Sequence, residues 1–208
     1  MLDIDGTLVE SFEFDEDCYL DAVHEVLGQK MDSDWSKYEH VTDTGLLYKH
    51  IELNGLCNQK VEIHTEVKSV FTNNIRKHIN QSPVQAVSGA LTFVKRLKQM
   101  PNVSLSIATG GWAETAQMKL NSAGFDISGI PMASSNDHYS RKEIMKIALV
   151  KSKVSDIEKV TYFGDAEWDK RACKELNFNF VLVGNRFQHN QSISNFKLFE
   201  QACNYIGL

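Results

Sequence analysis

The stretch DIDGT, Asp3 to Thr7, decides how the rest of this 208-residue chain reads. It sets two carboxylates on alternate positions of an apolar strand, just where Gly6 breaks the strand into a turn. An isolated acid at a strand end is usually a turn former or a cap. The distant stretch KVTYFGDAEWD changes that reading, because it ends an apolar run in Gly164-Asp165 and adds Asp169 four residues later. In an open parallel sheet, ligands bind outside the carboxyl ends of strands at a topological switch point, so two acid-bearing strand ends can meet there. Carboxylates crowded in this way repel one another. A hard divalent cation relieves the repulsion, and Mg²⁺ prefers one or two carboxylates, waters and phosphate oxygens. The pairing therefore points to a Mg²⁺-dependent phosphoryl site.

Candidates for holding the phosphate lie between the two acidic motifs. VSLSIATGG is an apolar run from Val103 to Ala108 that ends in Thr109, Gly110 and Gly111, with a helical pattern from Ala113 to Ala123. A hydroxyl and free backbone N–H groups at a helix start make an anion site, although Thr109 could equally be a simple cap. Farther on, Arg141 and Lys142 open the helical pattern RKEIMKIALV, and either cation could reach back toward a phosphate.

In this order, DIDGT, a strand ending in Thr, a cation before a helix and GDxxxD resemble the four motifs of the haloacid dehalogenase superfamily. The resemblance spans essentially the whole chain. It implies that Asp3 is the nucleophile, that Asp5 is the general acid/base, and that Thr109 and Lys142 hold the phosphate, with Gly110 and Arg141 beside them. It also implies Mg²⁺ held by Asp165, with Asp169 ligating it or orienting its waters and with Asp3 and Asp5 in the same acidic set. The Lys-Pro pattern common in the family after the cation is missing here, so either Lys142 or Arg141 fills the third role. Only Met1 and Leu2 precede Asp3, whereas a central parallel strand usually has about five residues. The expectation is that further residues lie ahead of Met1; a strand truly this short predicts a poorly stable core.

Composition agrees with a soluble enzyme. With 42% hydrophobic and 24% charged residues, 208 residues can bury a substantial core and fall between one and two domains. A net charge of −5 and a pI near 5.8 give no reason to expect nucleic acid as a partner. No run approaches the ~18 apolar residues of a membrane span, and no basic-plus-apolar leader precedes the first motif. Cys18, Cys57, Cys173 and Cys203 are scattered without a CxxC, which fits reduced thiols and a cytoplasmic location. The seven histidines show no metal spacing.

Residues 14 to 79 read as mostly helical. FDEDCYLDAVHEVLG has helical apolar spacing and ends at Gly28, TGLLYKHIELNG ends in Asn54-Gly55, and a third helix runs from Val61 to Ile79. Pro83 and its neighbours form a return linker, and a helix follows from Ala90 to Lys98. Strand candidates are Val103 to Ala108, Ile130 to Ser134, Val160 to Phe163 and Phe180 to Val183. Strands alternating with helices imply an α/β fold with a three-layer, Rossmann-like parallel-sheet core. The helical block resembles the small helical cap of one haloacid dehalogenase subclass, inserted after the first strand. That gives a core of residues 1–12 and 82–208 and a cap of 13–81, with Phe12, Phe14, Thr44 and Tyr48 as candidates to face the crevice.

The expected activity is that of a Mg²⁺-dependent phosphatase of a small phosphorylated metabolite, working through an aspartyl phosphate on Asp3. The acid at Asp5 favours a phosphatase over a dehalogenase, which has no alkoxide to protonate. A sugar phosphomutase, a phosphonatase with a Schiff-base lysine in the cap, and a noncatalytic phospho-ligand binder are the alternatives.

Overall fold

The computed structural model describes residues 1–154 and 159–208. Its centre is a parallel sheet built on both sides of the first three residues. Leu2 bridges Ile107 on one side and Phe163 on the other. The Leu2 amide donates to the Ser106 carbonyl and the Asp3 amide to the Phe163 carbonyl, both at 2.9 Å. On one flank lie β3 (Ile107–Ala108) and β4 (Met132–Ala133); on the other lie β5 (Thr161–Gly164), β6 (Asn179–Val183) and β7 (Ser192–Ile193). The chain leaves the central segment to one flank and later returns to the other, so the ends of Met1–Asp3 and β5 are adjacent at the switch point.

Side chains alternate across this sheet with the period of two that strands impose. Leu2, Ile107, Phe163, Val181 and Val183 face one hydrophobic core with α4 (Ala90–Lys98), α5 (Ala113–Ser122) and α8 (Phe199–Asn204). Ala108, Ala133, Tyr162, Phe180 and Leu182 face a second core with α6 (Arg141–Lys151) and α7 (Glu167–Leu176). Helices on both faces of a parallel sheet give the three-layer architecture expected from the alternating pattern.

β3 and β4 are shorter than the runs expected for them, whereas β5 and β6 match theirs to within a residue. Val103 to Ala108 alternates apolar residues with Ser104 and Ser106, and only Ile107 and Ala108 form regular pairs, with Met132 and Ala133. A short antiparallel pair, β1 (Val9–Glu10) with β2 (Gln85–Ala86), was not foreseen. It joins the two linkers that lead into and out of the helical block, and two residues per strand are too few to carry a periodic signal.

That block contains α1 (Phe12–Leu27), α2 (Asp43–Leu53) and α3 (Lys60–Gln81). Local signals set its helix ends. Gly28 takes the left-handed conformation at φ 66° and its amide closes on the His24 carbonyl. Thr42 caps α2 by accepting the Gly45 amide at 3.0 Å. The helices enclose their own core of Tyr19, Leu47, Ile51, Val67, Phe71 and Ile75, into which Trp112 of the sheet domain inserts. Tyr19 and Phe71 pack edge-on, with ring centroids 5.5 Å apart.

Candidate active site

Three carboxylates converge at the switch point. Asp3 ends the central segment, Asp165 follows β5, and Asp169 lies in the first turn of α7; one oxygen of each lies within 4.8 Å of the others. All three are buried. Burial, then the charge of Asp169, pushes the Asp3 carboxyl well above the usual carboxylate range, and the same two causes raise Asp165 to about 6. Backbone geometry makes room for this cluster. A Cβ at Gly6, where φ is +73°, would overlap the Asp165 carboxylate, and one at Gly164 would come within 2.6 Å of Asp169 Oδ2.

Arg186 donates to Asp165 Oδ2 at 2.8 Å, and Arg141 answers the charges of the other two acids. Its Nη1 donates to Asp169 Oδ1 at 2.8 Å and lies 3.6 Å from Asp3 Oδ1. Asp169 in turn accepts the Ala166 amide at 3.2 Å through its other oxygen, so it ties the start of α7 to Arg141. Lys142, expected to hold phosphate, does not reach the cleft. It is 40% exposed and pairs with Glu175 at 2.8 Å. Successive helical residues point about 100° apart, so only one of the two cations can face the acids.

Asp5 stands outside the three-carboxylate group, against its expected place in the metal set. Its Oδ1 takes the Ser11 hydroxyl and pairs with Lys119 Nζ at 2.5 Å, while Oδ2 faces the backbone at Gly111. Lys119 is fully buried and reaches Asp15 of α1 at 2.6 Å. Burial opposes the charge on Lys119, yet Asp15 and Asp5 outweigh it and raise its pKa.

Thr109 is buried, accepts the Gly111 amide at 3.1 Å and lines the cleft beside Gly110 and Gly111. Asp3, Asp5, Arg141 and Asp165 line the same cavity, of about 90 Å³. Of the aromatic and hydroxyl side chains proposed for the crevice, Phe12 lines it. Phe14 stacks on His78, Thr44 bonds Trp112 and Ser135, and Tyr48 packs near Lys60 and Tyr139. Sequence reasoning missed Asp15, Glu16, Asp43 and Lys119, which sit in ordinary amphipathic helices. No motif marks them, and only the fold shows which helix faces meet at the cleft.

The cluster suits a hard cation. It offers carboxylate oxygens alone, and Asp3 Oδ1 is buried without a hydrogen-bond partner. A strand-end carboxylate, a second acid beside it, a cation and a three-acid cluster thus meet at the switch point of an α/β fold, beside a helical block.

The family model for haloacid dehalogenase-like hydrolases matches residues 1–183, and the chain belongs to that family. No curated protein sequence matches it. Its fold is similar to that of β-phosphoglucomutase from Clostridium difficile, with a TM-score of 0.76, 16% identity and 99% and 95% of the two chains covered. CbbY from Rhodobacter sphaeroides, solved in complex with phosphate, is similar at a TM-score of 0.72, 15% identity and 95% and 94% coverage. A family IA, variant 3 hydrolase from Entamoeba histolytica is similar at 0.71, 18% identity and 100% and 98% coverage. Among the described residues, no helix is long and apolar enough to cross a membrane.

Proposed function

We propose that this hydrolase is a Mg²⁺-dependent phosphatase of a small phosphorylated metabolite, with residues 13–81 as its cap. The observation that carries the reading is Asp3: a buried carboxylate with one unpartnered oxygen, set between Arg141 and two further acids at the floor of a small cleft. Asp3, Asp165 and Asp169 would hold Mg²⁺. When bound, the ion offsets negative charge on the phosphoryl oxygens and on the acids themselves.

In the reaction, an Asp3 oxygen attacks phosphorus and the bond from phosphorus to the ester oxygen breaks, leaving an aspartyl phosphate. Arg141 and the Thr109 hydroxyl bind the phosphoryl oxygens. Asp5 gives its proton to the departing alkoxide. Ser11 and Lys119 hold its other oxygen, so the free one faces the cleft beside Gly111. Asp5 then takes a proton from the water that attacks the aspartyl phosphate, which releases inorganic phosphate and restores Asp3. A phosphonatase is disfavoured because no lysine is among the described residues lining the cleft.

The test is phosphate release from a panel of phosphorylated metabolites with and without Mg²⁺, with Asp3→Asn as the control. Hydrolysis that needs both the metal and Asp3 supports the reading. A sugar phosphate isomerised without phosphate release would replace it with a mutase. A folded protein that binds phosphate esters and turns none over would replace it with a noncatalytic binder.

A further inference from the structure

The start of α5 follows Gly110 and Gly111 of the cleft, and a helix start offers backbone N–H donors to an anion. In this protein those donors are already taken. The Gly111 amide goes to Thr109 Oγ1 at 3.1 Å, the Trp112 amide to Asp43 Oδ2 at 2.7 Å, and the Ala113 amide to Asn136 Oδ1 at 3.0 Å. The middle acceptor comes from the cap. Asp43 is buried and its own amide donates to the Gly110 carbonyl at 2.9 Å, while Thr44 beside it accepts the Trp112 indole N–H at 2.9 Å. Three hydrogen bonds therefore seat the start of α2 on the segment that opens α5. Asp43 accepts from Trp112 whether or not its carboxyl carries a proton, so the donor is filled in either state.

The cations near the remaining wall are engaged with acids: Arg186, in the neighbouring groove, donates to Asp165 Oδ2 at 2.8 Å and lies over the Phe12 ring. Arg141 is the one cation among the described residues that line the cleft, and it faces Asp3 and Asp169. Asp15 is committed to Lys119. Glu16 accepts the Trp35 indole N–H at 2.8 Å; Phe12, whose ring carries the Arg186 guanidinium, and Trp168 also line the cleft. Aromatic faces beside a carboxylate favour neutral or cationic groups. With Arg186, the α7 side chains Lys170, Arg171 and Lys174 line a neighbouring groove that shares Trp35, Val41 and Trp168 with the cleft.

We infer that Asp43 is a specificity-determining residue that restricts this enzyme to phosphate monoesters whose leaving group is uncharged or cationic. A second phosphate or a carboxylate on the substrate would meet Asp43 and Glu16 and find no free helix-start donor. The inference rests on the phosphatase reading above and adds the substrate class to it.

The experiment compares three two-carbon phosphate esters that differ in end group: ethanolamine phosphate, 2-hydroxyethyl phosphate and phosphoglycolate. p-Nitrophenyl phosphate serves as the common control. In the wild type, kcat/KM for the cationic and neutral esters is expected to exceed that for phosphoglycolate by about tenfold or more, the order of one misplaced polar contact. Asp43→Ala, which frees the Trp112 amide and removes the carboxylate, is expected to raise the phosphoglycolate-to-hydroxyethyl ratio about tenfold, with Asp43→Asn intermediate. The inference is overturned if phosphoglycolate is the best wild-type substrate, or if neither substitution shifts the ratio while p-nitrophenyl phosphate is still hydrolysed. If the folded protein with Mg²⁺ hydrolyses none of the four compounds, the phosphatase reading and this inference fall together.

Discussion

Arg141 and Lys142 are neighbours in sequence and part company in space, and the difference is testable. Arg141→Ala removes the group that faces Asp3 and is expected to lower kcat/KM by about 10²–10³, the usual cost of one transition-state donor. Lys142→Ala breaks only an exposed pair with Glu175, so kcat/KM and the melting temperature are expected to match the wild type. Steady-state kinetics on the two variants decides between them, and equal losses would restore Lys142 to the site. Gly6 makes a second single-residue prediction. At φ +73°, and with the Asp165 carboxylate where a side chain would start, Gly6→Ala has both strain and overlap to absorb. The left-handed conformation alone costs about 1–2 kcal/mol. The variant is expected to melt lower and to bind Mg²⁺ more weakly, as read by thermal melts with and without the metal.

At the scale of elements, the join between α5 and α1 is electrostatic. Lys119 of α5 is wholly buried between Asp5 in the loop after the central segment and Asp15 in α1. Removing one partner of such a group leaves charges uncompensated and costs about 3–5 kcal/mol. Lys119→Met is therefore expected to lower unfolding stability by that amount in urea titrations. Adding Asp15→Asn to it is expected to cost less than the sum of the two single changes, because both act on one network. Strict additivity would show that Lys119 and Asp15 are independent. None of this was legible in the sequence. A lysine in an amphipathic helix reads as a solvated side chain, and its burial follows only from the cap helix that closes over it. The helices themselves were legible, since α4 runs from Ala90 to Lys98 as its apolar spacing requires and α1 ends at Gly28.

For the molecule as a whole, the acids at the switch point couple folding, pH and metal. The Asp165 carboxyl is raised to about 6 by burial and by the charge of Asp169, so the metal-free fold holds its proton more tightly than the unfolded chain does. That contribution to stability is full below the ordinary aspartate pKa of 3.8 and is lost as pH rises through about 6. With Asp165 as a proposed Mg²⁺ ligand, the ion has the same proton to displace, so its affinity is expected to fall as pH drops through about 6. Thermal melts should show a larger Mg²⁺-induced rise at about pH 7.5 than at about pH 5; a rise equal at both would remove Asp165 from the metal set. The sequence by itself determined the α/β class, the helical block after the first strand, and the three acids, Asp3, Asp165 and Asp169, that the structure brings together. Each of these is written in local chemistry: period-two or helical apolar spacing, glycines at turns, and acids at the ends of apolar runs. Only the tertiary structure decided which of two adjacent cations faces Asp3, that Asp5 is held by Lys119 apart from the other acids, and that Asp43 fills the start of α5. Those facts depend on which faces of distant helices meet, and packing between elements has no signature in the spacing within any one of them.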